Sequence, residues 1–188
     1  MLWPLNLRNI VVEAKGHIAK LDRITSGFQH AQILFTAIRS GIFDMLSEPK
    51  TADEVADALG WDSRGVRMLL DGLVGLEVIE NRRGSYVNGV AAQVCLVADA
   101  PADQRDIIMH RAHGWDAWAQ LEESVKTGNP APAARRERSP EELRAFILGM
   151  DNIARFSADE LVQRVDLTGC KRLLDIGGGP ASYALTLL

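Results

Sequence analysis

FQHAQILFTAIRSGIFDML (28–46), TADEVADALG (51–60), RGVRMLLDGLVGLEVIE (64–80) and NRRGSYV (81–87) follow one another along the chain, and their order decides the fold. In the first stretch Ile33, Leu34, Ala37 and Ile38 fall on one helical stripe; Gly41 breaks it, and Ile42, Phe43 and Leu46 resume it. In the second, Thr51 can cap a short helix, Glu54 three residues on can reach back to complete a capping box, and Gly60 ends it. The third carries Val66, Leu69, Leu70, Leu73 and Val74 at helical spacing before the extended Val78-Ile79-Glu80. The Arg83-Gly84 pair predicts a turn, and Ser85–Val87 a returning strand.

Three helices and a two-stranded hairpin are the element order of a winged helix-turn-helix, here over about residues 28–90. Charge separates two uses of such a unit. Residues 25–98 hold six basic side chains against nine acidic ones, and the helix that would read DNA, about 64–76, sets Arg64 and Arg67 against Asp71 with little else polar. A DNA-reading wing is normally basic. Self-association is therefore expected, with a winged-helix DNA-binding transcription regulator as the alternative. The whole chain, 188 residues at net charge −4, has no long-range attraction for phosphate backbones or anionic lipid. Its one tight basic cluster, Arg135, Arg136 and Arg138, lies in a Pro/Ala stretch and reads as a solvated loop. With 47% apolar and 24% charged residues and no repeat, disorder, collagen and solenoid readings fall away.

Beyond the hairpin, PADQRDIIMHRAHGWDAWAQLEESV (101–125) puts Ile108, Trp115, Trp118 and Leu121 on a common helical face, with a bend expected at Gly114. TGNPAPAARRER (127–138) is a loop by composition. Ser139-Pro140-Glu141-Glu142 is a helix start: a serine cap, proline at the first position and glutamate at the third. That helix runs through Phe146, Ile147, Met150 and Ile153, with an interruption expected near Ser157. An apolar strand, Arg172–Ile176, then leads into a triple glycine and a helix expected from Pro180. Cys95 and Cys170 lie far apart without metal-ligand spacing, which fits a reducing cytosol, and no apolar run approaches the length of a membrane span. The N-terminal residues 1–16 do not read as a signal peptide.

The chemistry lies in LLDIGGG (173–179). A strand that ends in an acid and runs into a glycine loop cradles a nucleotide-like ligand, because glycine lets the backbone turn tightly and approach it. A dinucleotide fingerprint would begin at Gly177 and Gly179 but meets Ser182 at its third glycine. An S-adenosylmethionine site has an acid two residues before the first glycine, and Asp175 is there.

With QILFTAIRSGIFDML, TADEVADALG, RMLLDGLVGLEVIE, RRGSYVN, WDAWAQLEESVKTGNP and LLDIGGGPASYAL in this order over about residues 25–188, the chain resembles the front half of a bacterial small-molecule O-methyltransferase. This is the family with a winged-helix dimerisation domain that includes caffeate-type and polyketide methyltransferases. The resemblance implies a mainly α chain: a winged-helix dimerisation domain at 1–100, a helical linker and substrate lid at 101–166, and at 167–188 the first strand and glycine loop of a Rossmann-like α/β methyltransferase domain. It implies a homodimer, S-adenosylmethionine as cofactor, and a small hydroxylated acceptor, with no nucleic acid or membrane as partner. Asp175, Gly177, Gly178 and Gly179 inherit the cofactor contacts, and Trp115, Phe146 and Met150 the acceptor side. Phe146 and Met150 also read as a plain core stripe four residues apart, and Trp115 and Trp118 as helix packing or a dimer contact. His110 and His113 read as surface or internally satisfied side chains. In the family the ribose-binding acid and the catalytic histidine come after the glycine loop, so the chain is expected to be truncated and to contain no catalytic residue or metal ligand. One departure stands out: Ala181 occupies a position where members commonly have glycine.

Overall fold

A computed structural model describes residues 7–188, with the side chains of residues 1–13, Arg135 and Asp159 left out of the description. The first residues of the stretch read above against a signal peptide therefore lie outside the described residues. The chain is mainly helical, with one two-stranded sheet among the described residues. A long helix, α1 (Leu7–Arg39), stops where Gly41 takes a left-handed conformation, φ 72°. One turn, α2 (Ile42–Met45), follows, and then α3 (Ala52–Leu59), opened by the expected capping box. Thr51 Oγ1 accepts from the Glu54 N–H at 3.2 Å, and the Glu54 carboxylate accepts from the Thr51 N–H at 2.7 Å. Next, α4 (Ser63–Gly75) starts on Asp62, whose carboxylate accepts from the Gly65 N–H at 2.7 Å.

The hairpin is formed by β1 (Ile79–Arg82) and β2 (Ser85–Asn88), antiparallel with Arg82 opposite Ser85. Arg83 and Gly84 both have positive φ, the two-residue turn whose twist matches that of the strands. Lys50 exchanges backbone hydrogen bonds with Tyr86, and the Tyr86 hydroxyl donates to Asp71 at 2.6 Å, which ties the wing to α4. The core fills the space among these elements with Ala37, Ile42, Phe43, Leu46, Val55, Val66, Leu70, Leu73, Ile79 and Tyr86.

After α5 (Val90–Cys95), the stretch expected as one bent helix divides into α6 (Arg105–His113), α7 (Trp115–Ala119) and α8 (Leu121–Thr127). The break at Gly114 was expected; that at Gln120 was not. A single turn, α9 (Pro132–Arg135), stands in the expected loop, and α10 (Pro140–Arg164) runs unbroken. The expected interruption at Ser157 is absent because its hydroxyl bonds back to the Ile153 and Ala154 carbonyls, a bond compatible with a continuing helix. The last helix, α11 (Ser182–Leu187), begins two residues later than expected, since Ala181 is left-handed at φ 61°. The expected strand Arg172–Ile176 joins no sheet: a ladder needs a neighbour, and none of the described residues provides one.

Leu70 is fully buried at the centre of the winged unit, whereas the Tyr86 hydroxyl adds a single hydrogen bond to an exposed carboxylate. Leu70→Ala should lower the unfolding free energy by about 2–5 kcal/mol, and Tyr86→Phe by about 1 kcal/mol. Urea denaturation followed by circular dichroism measures both, and equal losses would contradict this ranking.

Candidate functional site

The site is built on α10. Ser139 Oγ accepts from the Glu142 N–H at 3.2 Å, and the Glu142 carboxylate accepts from the Ser139 N–H at 2.8 Å while also pairing with Arg136. The Arg136 hydrogen bond first, and the Ser139 backbone second, hold the Glu142 carboxyl down to about 2. One turn further on, Phe146 and Met150 share a face, as their spacing requires. Gly149 between them lets the helix lie close to α6: a Cβ there would stand 3.0 Å from the Ile107 Cα. The buried Asn152 completes the contact, its Oδ1 accepting from the Ile107 N–H at 3.2 Å.

Across from Phe146 and Met150 lies the glycine loop. Gly177 and Gly179 take left-handed conformations, φ 76° and 55°. At Gly178 an added Cβ would meet the Asp175 carboxylate, within 2.7 Å of Oδ1 and closer still to Oδ2, so that exposed side chain would have to turn aside. Two hydrogen bonds tether the loop to α10: Ser182 Oγ donates to Asp151 Oδ1 at 2.6 Å, and the Tyr183 and Ser157 hydroxyls meet at 2.7 Å. Burial opposes the Asp151 charge, but the bonds from Ser182 and Arg155 outweigh it and keep the carboxyl below the usual range.

Between the two sides is a cavity of about 300 Å³. Phe146, Ile147, Met150 and Ala154 line it from α10, and Asp175, Gly177, Gly178, Gly179, Ser182 and Tyr183 from the loop and α11. Six of the seven residues read from the sequence as site residues thus share one cavity. The seventh, Trp115, packs on Phe28 of α1 with ring centroids 6.5 Å apart and lines neither this cavity nor the one beside it. The apolar wall, the exposed carboxylate and the glycine backbone suit a ligand with a cationic end and a flat apolar body. Among the described residues no group of three His, Cys, Asp or Glu side chains is placed to hold a metal ion.

A second cavity of about 410 Å³ lies between α6–α7 and the segment from α9 to the start of α10. His110 packs on the Phe146 ring at 5.1 Å between centroids, and the Arg138 guanidinium lies 4.5 Å from the ring centre. The sequence gives little sign of this: Arg138 reads as part of a solvated basic loop, and only the fold carries it onto Phe146. The one available signal was the aromatic four residues before a methionine on a helix that starts next to that loop.

Residues 23–98 match the O-methyltransferase dimerisation domain. The chain thus carries an O-methyltransferase dimerisation domain and aligns with the N-terminal portion of proteins of that family. It is 31% identical over 175 residues to the N,N-dimethyltransferase OxyT of Streptomyces rimosus, an alignment covering 87% of this chain and 51% of that one. To the acetylserotonin O-methyltransferase of Rattus norvegicus it is 28% identical over 192 residues, 91% of this chain and 44% of that one. The human N-acetylserotonin methyltransferase, solved in complex with SAM, shares the fold with a TM-score of 0.79 at 24% identity, over 91% of this chain and 55% of that one. The chain thus spans about half the length of the O-methyltransferase family members it matches.

Burial first, and then the charges of Arg138, His113 and Arg111, push the His110 imidazole below its ordinary value of 6.5. The unfolded chain then binds the His110 proton more tightly than the folded one. This contribution to stability is complete above pH 6.5 and is lost as the pH falls through the lower folded value. An NMR titration of the imidazole protons should place the His110 midpoint below 6.5; a midpoint at or above it would contradict the burial argument.

Proposed function

We propose that the chain is the dimerisation and acceptor-lid portion of an S-adenosylmethionine-dependent methyltransferase that acts on a hydroxyl of a small molecule in the cytoplasm. The observation that carries this reading is the cavity in which Asp175 and the glycine loop face Phe146 and Met150. The described relative with bound SAM supports the choice of cofactor. The cofactor, when bound, supplies an electrophilic methyl group on a sulfonium. The Asp175 carboxylate would accept hydrogen bonds from the ammonium of its methionine part, and the glycine backbone would allow that part to come close. Phe146 and Met150 would give the acceptor an apolar surface to pack against, so that their part in the reaction would be positioning. No general base is assigned among these residues. The likeness to OxyT, an N,N-dimethyltransferase, supports nitrogen as a second acceptor atom.

The proposed organisation is the winged unit at 1–100 for pairing, the helices at 101–166 as lid, and 167–188 as the start of the Rossmann-like cofactor domain. Ile18, Leu21, Ile24 and Phe28 leave an apolar stripe exposed on α1, and a second copy of the chain is proposed to cover it. Size-exclusion chromatography with light scattering should give a mass of about twice 20.6 kDa. A strictly monomeric profile would overturn the pairing.

The cofactor reading is tested on the ¹⁵N-labelled chain by titration with S-adenosylmethionine. Amides of Gly177, Gly178, Gly179 and Ser182 should shift, with affinity weaker than low-micromolar, and Asp175→Asn should weaken the response about tenfold, the loss of one charge-assisted hydrogen bond. Shifts confined to other parts of the chain, or an unchanged response in D175N, would overturn it.

A further inference from the structure

The glycine loop carries three positive φ angles between residues 177 and 181: 76° at Gly177, 55° at Gly179 and 61° at Ala181. Glycine adopts that conformation freely. For an L-residue the left-handed form is disfavoured against the right-handed one by a factor of roughly 5–30, so Ala181 needs something to hold it. The local backbone supplies little. The Ala181 N–H donates to the Gly178 carbonyl at 2.9 Å, and α11, which follows, has six residues and no side-chain cap. A helix of that length does not stand by itself.

The restraint comes from α10, 31 residues earlier in the chain. Ser182, next to Ala181, donates its hydroxyl to Asp151 Oδ1 at 2.6 Å, and the Arg155 guanidinium pairs with Oδ2 at 2.6 Å. Both carboxylate oxygens are thus engaged, on a side chain that is only 17% exposed. The Arg155 charge also acts on Asp103, the partner of Arg105 at the start of α6, so the group that orients Asp151 has acids on two sides. The other tether, Tyr183 to Ser157, joins exposed groups at the tip of a long side chain and constrains the backbone at 181 less directly. Asp151 does not line the cavity, whereas Ser182 does, together with Asp175 and the three glycines. Any effect of Asp151 on the cavity therefore passes through Ser182.

We propose that Asp151 is a positioning residue for the cofactor: through Ser182 it holds Ala181 left-handed, and so keeps the glycine loop in the shape that seats the methionine end of S-adenosylmethionine beside Asp175. The proposal rests on the cofactor reading for the ligand, and on the Asp151–Ser182 bond alone for the loop. The need for the bond is created by the alanine. With glycine at 181 the same backbone carries no penalty, and Asp151 becomes dispensable.

The test uses the ¹⁵N-labelled 188-residue chain in two measurements. Without ligand, a left-handed Ala181 gives a strong nuclear Overhauser effect between its own amide and α protons; Ser182→Ala and Asp151→Ala should each weaken it, and Ser182→Thr, which keeps the hydroxyl, should not. With S-adenosylmethionine, Ser182→Ala and Asp151→Ala should each weaken the glycine-loop response about tenfold, the loss of one hydrogen bond to a charged group, and the double variant should lose no more than either. In an Ala181→Gly background the same two substitutions should cost less than about twofold. A merely structural loss would persist in that background. An unchanged Ile107 amide resonance, which reports the bond from Asn152, shows that the α6–α10 crossing is intact in each variant. Wild-type loop shape and cofactor response in Ser182→Ala, additive losses in the double variant, or a full loss in the Ala181→Gly background would each overturn the proposal. Failure of the cofactor reading has a different signature: no glycine-loop shifts with S-adenosylmethionine in the wild-type chain, while the Ala181 signal still weakens in Ser182→Ala. That result removes the ligand and leaves Asp151 as the residue that shapes the loop.

Discussion

Where α10 crosses α6, Gly149 brings the two backbones so close that a Cβ would stand 3.0 Å from the Ile107 Cα and 3.2 Å from its nitrogen. Backbone on the facing side cannot swing away as a side chain would, so the crossing distance is fixed by the absence of a single carbon. The same crossing satisfies α6. Its N-cap residue, Gln104, makes no side-chain cap bond; Asp103 accepts from the Arg105 N–H at 2.9 Å, and the Ile107 N–H, another donor a helix leaves unpaired at its start, is taken up by Asn152 from α10. Both cavities hang from this contact, because Phe146 and Met150 flank Gly149 on α10 and His110 lies one turn beyond Ile107 on α6.

The α6–α10 pair is anchored in turn to the winged unit. Arg105, at the start of α6, pairs with Asp103 at 2.8 Å and reaches Asp44 of α2 at 3.6 Å, and Asp44 itself accepts from the Ala98 N–H at 2.6 Å. Trp115 on Phe28 adds an apolar contact to α1. These are modest interactions taken singly, and the pair at 3.6 Å contributes little by itself. Their value is geometric: they connect the part that carries the dimerisation domain to the part that carries the cavities.

What could be read from the sequence was what neighbours in the chain decide among themselves. Thr51 with Glu54 and Ser139 with Glu142 are capping boxes because each pair is three residues apart, and the Arg83-Gly84 turn is set by two residues. The aspartate and glycines of the loop are equally local in the sequence, and they line one cavity with Phe146 and Met150. The misses all depend on distant partners. Arg172–Ile176 has strand composition but needs a neighbouring strand; Ser157 favours a break until its hydroxyl finds the helix behind it and Tyr183 ahead. Trp115, read either as a wall residue or as helix packing, turns its face to Phe28. Arg138 looked like one charge among three in a loop until α10 brought Phe146 beneath it.

Ala181 shows how much one residue can decide. A left-handed alanine costs about 1–2 kcal/mol relative to a right-handed one, and here it is held by the Ser182–Asp151 and Tyr183–Ser157 bonds on its C-terminal side. With a right-handed backbone at 181, α11 would extend back to Pro180, a favoured first residue for a helix. The turn would then lose two residues, and Ser182 would rotate away from Asp151. The length of the glycine loop is thus set by a single pair of dihedral angles.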